Sequence, residues 1–161
     1  MNVDAILSAM NSAGVNYLLI GGMNFMLRHK PVLTYDVDLL IEDTQENRLN
    51  CESALTNLQA EWGVTDEDWG PVAERASGWL DRQGIYCLNC PDGAVDIMRW
   101  VPGIDDWSAV WQRSVVERTK SGVAYRGLSD EDMLRCQLAL GESHRKADRV
   151  RYLQSILDGE R

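Results

Sequence analysis

An apolar run ending on two glycines, followed by a strand-like alternation carrying two aspartates, constrains this chain more than any other feature. The run is Tyr17-Leu18-Leu19-Ile20-Gly21-Gly22, and Met23 to Thr34 leads on to Tyr35-Asp36-Val37-Asp38-Leu39-Leu40-Ile41. The first half predicts a strand entering a tight turn, where residues without a Cβ let the backbone approach a ligand closely. The second half predicts a strand with Tyr35, Val37, Leu39 and Ile41 on one face and Asp36, Asp38 and Leu40 on the other. Period-2 spacing sets the two aspartate Cα atoms roughly 6.5–7 Å apart. Carboxylates leaning together from there repel, so the pair favours a retained proton or a bound cation. Oxygen-only ligands suit magnesium or manganese.

The 161 residues are enough for one domain with its own core and no disulfides. We expect a single domain over residues 1–161, with a core at about 15–127 and a helical part at about 128–158. No apolar run approaches the length of a membrane span, and Met1-Asn2-Val3-Asp4 lacks the basic start of a signal peptide. A cytoplasmic protein without membrane contact is therefore the expectation. Cys87 and Cys90 have zinc-knuckle spacing, but no second pair completes a tetrahedral site, so thiols are expected at all four cysteines. The net charge of −9 argues against strong nonspecific DNA binding. The one dense basic stretch runs from His144 to Arg151 and reads as a solvated helix face or a local groove.

Hydrophobic spacing predicts a helix over 3–13 ended by Gly14, a strand over Val15–Ile20, and one or two helical turns over Met23–His29. Thr44 is placed to cap a helix from Gln45 to about Ala60. Residues 62–83, with Trp62, Trp69 and Trp79, show no period and read as loop plus a short helix near Val72–Ala76. Gly84–Asn89 and Ala94–Trp100 read as a hairpin around Asp92-Gly93. A helix over Asp105–Gln112, strands at Ser114–Glu117 and Val123–Tyr125, and two closing helices after Ser129 and from about Arg145 complete the chain. Most of the six tryptophans are expected in the core. Strands mixed with helices without strict alternation predict an α+β fold, a mixed-sheet α/β domain flanked by helices.

A third carboxylate, Asp96, lies in Ala94-Val95-Asp96-Ile97-Met98, where Val95 and Ile97 face the core and Asp96 faces away. An aspartate among apolar strand residues is costly unless paired or ligated. If its strand neighbours Tyr35–Ile41, three aspartates converge, a set suited to a two-metal phosphoryl-transfer site. Gly21-Gly22, at the end of a strand and the start of a helix, would offer free N–H groups to a phosphate.

Gly-Gly, a short helix, Thr34-x-Asp36-Val37-Asp38 and the later Asp96 resemble the nucleotidyltransferase superfamily of the DNA polymerase β type. The likeness is to its minimal single-domain branch, found in toxin–antitoxin and abortive-infection systems. It spans roughly residues 15–42, 94–98 and 128–157. The resemblance implies transfer of a nucleotide from an NTP, ATP among them, to a hydroxyl on RNA or protein, with Mg²⁺ or Mn²⁺ as cofactor and a cognate partner protein. It implies metal ligation by Asp36 and Asp38, completed by Asp96, which would also act as general base. It further implies nucleotide contacts from Gly21, Gly22, Thr34, Arg145 and Lys146. Three positions depart from the pattern. Gly22 and Met23 stand where relatives carry serine, Val32 where they carry arginine, and Gln137 where they carry lysine. Arg28 or Lys30 are candidate substitutes for the missing arginine. These departures keep open a second reading, a nucleotide-binding module or sensor with weakened catalysis. An Asp-x-Asp sugar-nucleotide glycosyltransferase and an aspartyl-phosphate phosphatase rank below both.

Overall fold

The structure, a computed structural model, describes residues 1–159; the last two residues of the expected domain lie outside the described residues. Among the described residues six α-helices surround one mixed sheet of eight strands, so the expected mixed α/β architecture holds. In chain order the strands are β1 (Tyr17–Ile20), β2 (Asp36–Ile41), β3 (Glu61–Trp62), β4 (Gly70–Pro71), β5 (Ile85–Cys90), β6 (Gly93–Met98), β7 (Val115–Arg118) and β8 (Ala124–Gly127). The helices are α1 (Val3–Ser12), α2 (Gly21–Arg28), α3 (Gln45–Asn57), α4 (Trp107–Arg113), α5 (Asp130–Ala139) and α6 (Ala147–Leu157). Across the sheet the order is β4-β3-β5-β6-β2-β1-β8-β7. β2 runs parallel to β6 and antiparallel to β1, and β5 pairs antiparallel with β6 as the expected hairpin.

Strand alternation divides the apolar side chains between two cores, one on each face. Leu19, Val37, Leu39, Ile41, Val95 and Ile97 join α1 and α3 in the larger cluster. Leu18, Ile20 and Leu40 point the other way and join Phe25, Met133 and Leu153 under α5 and α6. Asp36, Asp38 and Asp96 occupy alternate positions to the first set, so they open onto the second face. Their side chains are half-buried at the edge of that core.

Caps fix the helix starts. The Thr44 side chain accepts from Asn47 N–H at 3.2 Å, and that of Ser129 from Asp132 N–H at 3.1 Å. Thr44→Ala should lower stability by about 1 kcal/mol, read as a shift of the urea midpoint without a change of slope. Asp132 is fully buried and is held by Arg113, Arg135 and the Ser129 hydroxyl, which ties the start of α5 to the end of α4.

Three expectations change. α2 begins on Gly21 rather than Met23, because Gly21 adopts φ +66° and turns the chain within a single residue. The 62–83 segment keeps the expected short helix, as a 3-10 turn over Val72–Glu74, but is otherwise more ordered than a loop: β3 and β4 extend the sheet, and a second 3-10 turn occupies Trp79–Asp81. Only Trp62 and Trp79 of the six tryptophans are buried, stacked at 5.8 Å with Tyr86 against both, while Trp69 and Trp100 are exposed. All four cysteines are free, Cys87 exposed and Cys51 buried.

Candidate metal and nucleotide site

The parallel pairing of β2 with β6 sets Asp38 directly opposite Asp96, and Asp36 opposite Ala94. One carboxylate oxygen from each of Asp36, Asp38 and Asp96 lies within 4.8 Å of the others. Cys87, on β5, stands across the sheet from Asp96. The neighbouring β1 ends opposite Asp38, through Ile20, and the chain then turns at Gly21. That turn is built around the aspartate: a Cβ on Gly21 would sit 2.2 Å from Asp38 Oδ2. Glycine is required there both by its positive φ and by the close approach of a side chain.

The three acids are in electrostatic conflict. Burial, then the neighbouring Asp36 and Asp96, push the Asp38 carboxyl up to about 7, against the opposing pull of Arg149. Asp96 is also raised, first by burial and then by Asp36. Like charges gathered in a partly desolvated place either hold a proton or take a cation. Three oxygen ligands at this spacing fit a hard divalent ion such as Mg²⁺ or Mn²⁺.

Arg149, on the first turn of α6, is the cation that faces the site. A Cβ on Gly22 would lie 3.4 Å from its guanidinium and 3.0 Å from Thr34 Oγ1, so Gly22, Thr34 and Arg149 meet at one point beside the α2 N-terminus. Thr34 donates its hydroxyl proton to the Asp36 carbonyl at 3.3 Å. The Arg149 guanidinium lies 5.3 Å over the Phe25 ring, and its buried Nε has no hydrogen-bond partner among the described residues. Burial lowers the guanidinium's proton affinity, an effect that Asp38 opposes. A half-desolvated cation with an unpaired donor is suited to an anionic ligand.

The geometry thus gathers Gly21, Gly22, Thr34 and the three aspartates, and leaves Arg145 and Lys146 outside. Arg145 donates to the carbonyls of Leu140 and Leu138, closing the turn after α5. Lys146 precedes the first residue of α6 and its side chain is exposed. Arg149 falls on the inner face of that helix with Tyr152 and Leu153, three and four residues on, which is the signal that singles it out within the basic stretch. The suggested substitutes are also engaged elsewhere. Arg28 pairs with Asp130 and donates to the Leu128 carbonyl, and Lys30 sits over the Tyr152 ring. Sequence reasoning also missed a cavity of about 430 Å³ that opens beside Asp38 and Gly21 and is roofed by α5.

No protein-family model and no curated protein sequence matches the chain. Solved structures do match by fold. The crystal structure of ANT(2")-Ia in complex with adenylyl-2"-tobramycin superposes with a TM-score of 0.62 at 16% identity, covering 98% of this chain and 88% of that one. A putative nucleotidyltransferase (TM1012) from Thermotoga maritima gives 0.55 at 18% identity, over 96% and 89%. At such identities the likeness is one of architecture, and the architecture shared is the nucleotidyltransferase fold.

Proposed function

We propose that this protein is a divalent-metal-dependent nucleotidyltransferase that moves a nucleotide from an NTP to a hydroxyl acceptor. The observation that carries the reading is the convergence of Asp36, Asp38 and Asp96 within 4.8 Å, on the fold that nucleotidyltransferases share.

Each residue then has a defined task. Asp36, Asp38 and Asp96 hold the cation, which when bound offsets their charge and that of the triphosphate. The N–H groups at the α2 N-terminus, exposed by Gly21 and Gly22, receive the terminal phosphates. Arg149 supplies the positive charge that Val32 and Gln137 do not, its guanidinium facing the triphosphate. Asp96, set opposite Asp38 on the neighbouring strand, accepts the proton of the acceptor hydroxyl. The hydroxyl oxygen forms a bond to the α-phosphorus as the bond to the bridging oxygen breaks, and pyrophosphate departs. Catalysis rests on positioning and charge, not on a covalent enzyme intermediate.

The test is transfer from α-labelled NTPs, with Mg²⁺ or Mn²⁺, to RNA, protein and small hydroxyl acceptors. Product that forms with the wild type and not with Asp36→Asn supports the reading. No transfer with any acceptor, or transfer indifferent to Asp36→Asn, overturns it. Arg149→Gln should raise the NTP KM about ten-fold or more, the cost of losing one charge-assisted contact, with circular dichroism unchanged. An unchanged KM would remove Arg149 from the phosphate site.

The nucleotide-binding module remains the second reading, favoured by two observations. Gly22 brings no hydroxyl to the α2 N-terminus, and Arg28 and Lys30 are held elsewhere. Calorimetry separates the two readings, since a sensor binds Mg-NTP without releasing pyrophosphate.

A further inference from the structure

The cavity beside Asp38 differs sharply from the acidic patch it adjoins. Its walls are apolar: Ile85 and Met98 form the floor, Trp100 and Val101 one side, and Met133 and Leu140 the roof. Trp100 is 58% exposed, an uncommon state for so large an apolar ring, and it leans on the backbone at Gly84, where a Cβ would come 2.3 Å from the indole. Glycine there lets the ring, which also lines the cavity, lie close.

Charged side chains reach the cavity at two points only among the described residues, Asp38 and Arg149. Arg149 presents its guanidinium. Gln137 also lines the cavity, and one lone pair of its Oε1 is taken by Lys146 N–H at 2.8 Å. Its NH₂ group and the second lone pair of Oε1 remain to serve a neutral hydroxyl. Of the carboxylates among the described residues, only Asp38 lines the cavity, and a bound cation would claim it. A positively charged guest would therefore meet Arg149 and no free counter-charge. An uncharged guest with an apolar body and hydroxyl groups would meet apolar walls, the Gln137 amide and the Arg149 guanidinium. The volume of about 430 Å³ falls within the range of small-molecule sites. A polymer segment would not be enclosed by it.

We propose that this cavity holds the acceptor of the transfer reaction, and that the acceptor is a small, uncharged hydroxyl compound with an apolar or aromatic body. The inference rests on the nucleotidyltransferase reading and deepens it. It replaces RNA or protein as the expected acceptor, and it excludes polyammonium sugars.

Binding read without turnover tests the inference and keeps it separable from the question of catalysis. The probes are 1-naphthyl β-D-glucopyranoside, which joins an apolar ring to several hydroxyls, and kanamycin, a hydroxyl-rich polycation. Calorimetry is run on the full chain with Mg²⁺ and a non-hydrolysable NTP. The naphthyl glucoside should bind about ten-fold or more tightly than kanamycin. Trp100→Ala should weaken it about ten-fold, leaving NTP affinity within about three-fold. Leu140→Glu, at a half-exposed position that tolerates charge, should narrow or reverse the preference between the two probes. Equal or tighter binding of kanamycin by the wild type overturns the proposal, as does failure of the naphthyl glucoside to bind at millimolar concentration. A loss of NTP affinity in Trp100→Ala also overturns it, by assigning the cavity to the nucleotide's base. Failure of Mg-NTP itself to bind would sink the nucleotidyltransferase reading instead, a separate result in the same titration.

Discussion

Asp38→Asn is expected to abolish transfer while making the metal-free protein more stable. The loss of activity should reach about 10³-fold or more, because one substitution removes a shared metal ligand and leaves a neutral amide in its place. The gain in stability follows from the sign of the perturbation. Asp38 is pushed up from 3.8 to about 7 in the folded chain, by burial and by Asp36 and Asp96. A carboxylate with a raised folded value favours folding less as it ionises. The penalty is absent below about pH 4, grows through the interval up to the folded value, and is complete above it. At pH 8 in EDTA, Asn should recover about 2–4 kcal/mol of that penalty, a rise in Tm of about 5–10 °C. The advantage should shrink as the pH falls toward about 4.5. Adding Mg²⁺ should raise the Tm of the wild type and leave that of Asp38→Asn nearly unchanged. Melting curves with and without EDTA at two pH values measure all of this. A variant no more stable than wild type at pH 8 would show that the three acids are not in conflict.

Gly21→Ala is the second large effect, and it acts through one atom. The residue sits at φ +66°, where an L side chain is strained by about 1–2 kcal/mol, and its new methyl would arrive 2.2 Å from Asp38 Oδ2. The aspartate must swing away or the turn must open. Either response displaces a ligand from its two partners, and a misplacement of about 1 Å at a reacting centre costs about 10²-fold in rate. We expect destabilisation by about 1–3 kcal/mol together with that loss of activity. Gly22→Ala is the matched control. Its φ lies outside the left-handed range, and its methyl would meet Thr34 Oγ1 at 3.0 Å and Arg149 at 3.4 Å. It should keep most of its stability and raise the NTP KM instead. Equal behaviour of the two variants in melting and kinetics would refute the assignment of separate roles to the glycines.

Much of this arrangement was legible in the residues because it depends on short-range patterns. Alternation through Tyr35–Ile41 and Ala94–Met98 assigned the aspartates to one face, and the Asp92-Gly93 turn marked the β5–β6 hairpin. The neighbour relation of β2 and β6 was the long-range fact on which the triad depended, and the parallel pairing supplies it. What escaped was set by tertiary contact. Arg149 stands among five basic residues that include His144, and the packing of α6, through Tyr152 and Arg149 itself, on Phe25 brings it to the site. The start of α2 moved because a positive φ at Gly21 let helix follow strand directly, which composition alone does not reveal. Trp100 looked like core by type, yet its place after β6 puts it at the mouth of a cavity that no periodicity announces. The 62–83 stretch hid two-residue strands too short to show an alternation.

The parallel union of β2 and β6 also bears on how the chain reaches its native state. Between Asp38 and Asp96 the chain must complete α3, β3, β4 and β5, so this pairing closes a long loop and its entropy cost precedes its reward. The pairing that builds the site therefore brings like charges together in the same event that joins the two halves of the sheet. A divalent ion bridging those charges would act on the folding barrier as well as on the finished protein, serving as a template for the sheet before it serves any substrate.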